Sequence, residues 1–164
     1  MAFLPVYVGQ KRMTMATEIK SRHAIVSRQP YELYMGFVDM RNFLQFLPED
    51  KKQGVEADYD SIRGTVQGFN VGIRVADRVP YSRIDFKDDG APFQFSLSMF
   101  FDPAPEYGKT DFHVEFSAEL NFMMKMVLGS KLKEALDKMV TSLADASEGK
   151  MPEGFDPSQY GFGK

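Results

Sequence analysis

The chain has 164 residues, with 20 basic against 23 acidic side chains and a formal charge of −3. A chain this long builds one domain with a real core, and its acidic excess argues against a non-specific nucleic-acid binder. Cysteine is absent, which excludes thiol catalysis, disulfide scaffolds and cysteine-ligated metal centres.

Residues 1–15 read as an extension ahead of the domain. Met1–Val8 is apolar, but Lys11 and Arg12 follow it rather than precede it, the wrong order for a secretory signal. No apolar run reaches the roughly 20 residues of a spanning helix, so no transmembrane segment and a cytoplasmic location are expected. Thr17–Val26 reads as one strand with Ile19, Ser21, His23 and Ile25 on one face. Pro30 suits a first helical turn, and Leu33, Tyr34, Phe37 and Val38 carry helical spacing. A second short helix is expected at Arg41–Leu47, stopped by Pro48.

From Val55 to Leu120 the apolar period changes to two. Short alternating runs containing Val55, Ile62, Val71 and Ile84 are separated by turn residues such as Asp60-Ser61 and Asp89-Gly90. Phe93, Phe95, Leu97, Met99 and Phe101 form the cleanest alternation. The last run places Phe112, Val114 and Phe116 on one face and Asp111, His113 and Glu115 on the other. An antiparallel meander with one dry face follows. Asn121 is expected to cap a long helix to about Ala146, its stripe running Met124, Leu128, Leu132, Ala135, Met139 and Leu143, widened by Leu136 and Val140. Residues 149–164 form a Gly- and Pro-containing tail with Phe155, Tyr160 and Phe162.

The order is a strand, two short helices, a meander and a long C-terminal helix. With the segments Ile19-Lys20-Ser21, Phe46-Leu47-Pro48-Glu49-Asp50 and Ala118–Lys125, it resembles the SRPBCC superfamily. That resemblance implies a START-like, helix-grip α+β domain over residues 16–148. A curved antiparallel seven-stranded sheet would be gripped by the long helix. It also implies a cavity between sheet and helix for a small hydrophobic molecule, lipid-like or polycyclic. Small uncharacterised bacterial proteins form the branch it most resembles.

On that reading the ligand-binding residues are Ser21, His23, Phe93, Phe95, Leu97, Met99, Phe112, Val114, Phe116, Met124 and Leu128. His23 is the histidine expected on the inner face, where desolvation would disfavour its charged form. It is the general base if the protein is a polyketide cyclase- or dehydratase-like enzyme. No carboxylate of matching parity is visible beside it, so no triad is expected. A co-chaperone-like SRPBCC interaction module is the remaining alternative. His23 and His113 are expected on opposite faces, with Glu115 and Glu119 paired to Lys20 and Arg22. No metal site and no cofactor are therefore expected. Phe122–Leu128 is apolar nearly all round, which calls for burial, a partner or a cavity mouth.

Overall fold

Two strands, not one, open the computed structural model, which describes residues 16–149 apart from 48 and 67. They are β1 (Thr17–Lys20) and β2 (Ala24–Val26). Helix α1 (Pro30–Phe37) starts on a proline that loses no needed N–H there, and the Gln29 N–H donates to Glu32 Oε1 at 2.9 Å. The second expected helix is a 3-10 segment, Met40–Phe46, whose Asp39 cap accepts from the Arg41 N–H at 3.0 Å. A single turn, α2 (Glu49–Lys52), follows.

The meander comprises β3 (Glu56–Ala57), β4 (Ser61–Val66), β5 (Phe69–Val79), β6 (Arg83–Asp88), β7 (Phe95–Pro103) and β8 (Thr110–Ala118). The sheet order is β1-β8-β7-β6-β5-β4-β3, with β2 also paired to β8. The expected seven strands become eight because the first is interrupted. Phe93 and Leu120 lie just outside the strands to which their periodicity assigns them.

Helix α3 (Phe122–Ser147) spans 26 residues, and the Asn121 side chain accepts from the Met124 N–H at 2.8 Å, as an N-cap should. It packs chiefly on β1, β2 and β8. Its inward ridge runs in steps of four from Met124 through Leu128, Leu132 and Leu136 to Val140, the row on which helices commonly pack. Leu136 and Val140 are its buried centre. Ala135 and Met139, assigned to the stripe from sequence, are exposed because steps of three rotate the other way.

Between helix and sheet the aromatic side chains pack on one another. The Phe101 and Phe112 ring centres are 5.5 Å apart, and Phe37 lies 6.2 Å from both. Phe43 extends the cluster, 5.5 Å from Phe37 and 6.4 Å from Phe86. Offset and edge contacts at these separations add to the apolar burial itself. Tyr81, at φ +64° in the β5–β6 turn, occupies a position where glycine or asparagine is usual. Its ring meets Tyr34 edge-on at 5.5 Å.

Candidate ligand-binding site

The first edge of the sheet carries a bulge that changes the expected site. Lys20 pairs with Glu115 and Ala24 with Phe112, so four steps on one strand oppose three on the other. Ser21 closes the gap. Its N–H donates to the Val114 carbonyl at 2.8 Å, and its Oγ accepts from the Val114 N–H at 2.9 Å. The hydroxyl thus substitutes for a missing backbone acceptor and satisfies a buried donor. Ser21 is buried, as its parity predicts, but its hydroxyl is engaged in this backbone repair and in donation to the Arg22 carbonyl at 2.8 Å.

Beyond the bulge the parity reverses. Ala24 and Val26 enter the core, while Ile25 is 45% exposed. His23 therefore faces outward with its side chain 57% exposed, contrary to the inward placement expected, and the desolvation argument fails with it. Its Nδ1–H donates to Asp111 Oδ1 at 2.8 Å, so a carboxylate partner is present. Its ring stacks on His113 at 4.1 Å and 16°, and His113 stacks on Phe100 at 4.6 Å and 6°. The two imidazoles thus share one face, not opposite faces. His113 Nε2–H donates to Glu115 Oε2 at 2.9 Å, displacing the expected pairing of Glu115 with lysine or arginine, and its buried Nδ1 has no partner among the described residues. Among those residues no group of three His, Cys, Asp or Glu is disposed to hold a metal ion.

Arg22 turns to the helix instead. Its N–H donates to Asp137 Oδ1 at 2.6 Å, and its guanidinium donates to Thr141 Oγ1 at 2.7 Å. The Arg22 N–H, and then Lys133, hold the Asp137 carboxyl below the usual carboxylate range. A lowered folded pKa means that the unfolded chain binds the proton first as pH falls. The contribution is complete above the unfolded value of about 3.9 and fades as pH falls through the folded one. Asp137→Asn is expected to flatten the acid limb of stability below about pH 4, measured by urea unfolding across pH. An unchanged limb would detach this carboxylate from the bulge.

The inner-face residues lie where alternation puts them. Met99, Phe112, Val114 and Phe116 are buried, and Phe93, Phe95, Leu97 and Met124 are half-buried against the same core. Leu128 is half-buried on the inward ridge. Phe95 stacks on Phe116 at 5.7 Å, with Phe93 5.9 Å from Phe95.

An open cleft of about 340 Å³ lies elsewhere, between β2, α1 and the end of α3. Its apolar walls are Val26, Leu33, Phe37, Leu143 and Ala146, with Arg28, Glu32 and Ser147 supplying polar groups. It falls in the lower part of the roughly 300–1,000 Å³ range of small-molecule sites. None of its lining residues belongs to the set read from the sequence. One sequence signal bears on it, Gly36 within α1, since a helical glycine costs about 1 kcal/mol against alanine. A Cβ at Gly36 would meet nothing within 4 Å. The Arg28 guanidinium makes no ion pair among the described residues and donates to the Ser27 carbonyl at 2.8 Å.

A meandering antiparallel sheet gripped by one long C-terminal helix, with short helices after the first strand, is the helix-grip, START-like fold. Solved structures share it. The chain is similar to Mll3558 from Rhizobium loti, 12% identical, with a TM-score of 0.54 over 77% of this chain and 96% of that one. It is also similar to the Aha1 dimer from Colwellia psychrerythraea, 15% identical, TM-score 0.53, over 80% and 96% of the two chains. Norcoclaurine synthase from Thalictrum flavum is 8% identical, TM-score 0.53, over 77% and 87%. At these identities the likeness is one of fold. No family model and no curated protein sequence matches the chain.

Proposed function

We propose that this protein binds a small, mainly apolar molecule bearing an anionic group, held between the sheet edge, α1 and the end of α3. The observation carrying this reading is the cleft of about 340 Å³, apolar-walled, whose lining includes Arg28 together with Glu32, the latter engaged by the Gln29 N–H. Gly36 keeps that wall clear at a cost in helix stability, which supports a cleft maintained rather than incidental. Of the inner-face residues, Phe112 lies behind the cleft through Phe37, whose ring stacks on it at 6.2 Å. A binding role is favoured over catalysis because His23, the residue an enzyme reading needs, stands outside the cleft lining.

The test is a titration with 2-naphthoate, an apolar ring carrying a carboxylate, followed by amide NMR. Gly36 and Ala146 are expected to shift, and Gly36→Phe is expected to abolish the response while leaving the fold intact. Gly36→Ala should raise stability by about 0.5–1 kcal/mol. A Gly36→Phe protein that binds as the parent does would sink the assignment. So would shifts confined to other surfaces.

A further inference from the structure

The start of α3 carries a second apolar face that packs on nothing described. Phe122, Met123, Met126 and Val127 are 76%, 74%, 68% and 59% exposed. Positions i, i+1, i+4 and i+5 fall together on a helix, so these four side chains make one patch. It is turned away from Met124 and Leu128, which face the sheet. Large apolar patches on an otherwise charged surface mark an interaction site.

Between Glu119 before it and Glu134 after it, the stretch of α3 that carries this patch is basic. Residues 120–133 contain Lys125, Lys131 and Lys133 and no Asp or Glu, in a chain whose net charge is −3. At about 100° per residue, Lys125 and Lys131 flank the patch on opposite sides. Neither makes an ion pair among the described residues, whereas Lys133 is paired with Asp137 at 3.0 Å. The pairing of Thr17 with Ala118 brings residue 16 beside Glu119, at the end of the domain where α3 begins. Residues 1–15 join the domain there, and they include Phe3, Leu4, Val6, Tyr7 and Val8 with Lys11 and Arg12 and no acidic residue.

We propose that this end of α3 docks on an anionic lipid surface. The four apolar side chains enter the headgroup boundary, and Lys125 and Lys131 reach lipid phosphates on either side of the helix. This is the division of labour by which interfacial helices bind: buried apolar area plus attraction to anionic lipid. No described helix is long and apolar enough to cross a membrane, so the helix lies on the surface. A second copy of this chain is disfavoured as the occupant. Pairing this face with itself would set the flanking lysines of both copies against one another, whereas an anionic surface satisfies both flanks.

The full chain is tested by flotation with vesicles of phosphatidylcholine alone and of phosphatidylcholine mixed with phosphatidylglycerol. Binding is expected to the mixed vesicles, with release at high salt. Lys125→Gln and Lys131→Gln should each weaken it about fivefold. Met123→Gln with Met126→Gln should weaken it more than tenfold without changing the thermal unfolding curve, since both side chains are exposed. Peroxide footprinting supplies a second readout: Met123 and Met126 should oxidise readily in the free protein and be shielded by mixed vesicles. Several results would overturn the proposal. These are no binding to the mixed vesicles, equal binding by the double methionine variant, or both methionines already shielded without lipid. A dimer that the methionine variant converts to monomer would do the same and would name the second copy as occupant.

Discussion

Phe112→Ala is expected to destabilise the protein by about 3–5 kcal/mol, the range for truncating a buried phenylalanine. Phe112 is 1% exposed and sits in β8 between Ala24 on one side and Phe101 on the other. Its ring contacts both Phe101 and Phe37, so its removal leaves a space bounded by two rigid rings that cannot collapse readily. A domain of this size has about 5–15 kcal/mol of stability in total. The variant should therefore show a large fall in urea midpoint at unchanged m-value. Phe112→Leu should recover much of the loss. If Phe112→Ala costs under about 1 kcal/mol, the aromatic cluster is not the centre of the core. Because Phe37 rests on Phe112, the same truncation should also weaken 2-naphthoate binding.

Arg78→Leu is expected to cost about 2–3 kcal/mol, in line with losing hydrogen bonds to a charged group that is mostly shielded from water. The Arg78 side chain is 19% exposed and ties three segments together. Nε donates to the Val38 carbonyl at 3.0 Å, Nη2 to the Tyr59 carbonyl at 2.8 Å, and Nη1 to Asp60 Oδ1 at 2.7 Å. The guanidinium also lies 4.0 Å from the Tyr59 ring centre. Leucine preserves much of the apolar stem but takes the guanidinium donor from the Val38 carbonyl and leaves the Tyr59 carbonyl with the Met40 N–H, 3.1 Å away, as its remaining donor. Arg78→Lys should fail nearly as badly, because an ammonium cannot present the same planar fork. Asp60→Asn should matter far less, since Asp60 is 56% exposed. Hydrogen exchange around residues 38–40 and 58–61 would localise the loosening. A loss spread evenly over the sheet would contradict the pinning role.

The fold was legible where one physical rule governs a whole element. Alternation in Phe95–Phe101 and Phe112–Phe116 identified the dry face because every second side chain there enters the core. The cap at Asn121 and the end of α3 followed from side-chain chemistry and glycine. The bulge was not legible. An extra residue leaves each half of a strand looking regular, and only the reversal between Ile19 and Ala24 betrays it. Ser21-Arg22-His23, three polar residues in a row, was the available sign, and alternation alone could not place His23. Nor could the cleft be read, since its walls come from two stretches distant in sequence, residues 26–37 and 143–147. Gly36, an unexpected glycine inside a short helix, was its one local trace.

The bulge also bears on how the molecule behaves in a crowd of its own kind. A sheet border with regularly spaced, unpaired backbone groups invites a strand from another chain to join it. Here one border is broken into strands of four and three residues, with the Arg22 backbone turned aside to Asp137. The opposite border is β3, two residues long. Neither offers an incoming strand a run long enough to pair against, so strand-to-strand growth has no foothold while the fold is intact. Excising one residue between Ser21 and His23 would straighten the first border into a continuous rail, and the expected cost would include precipitation as well as lost stability.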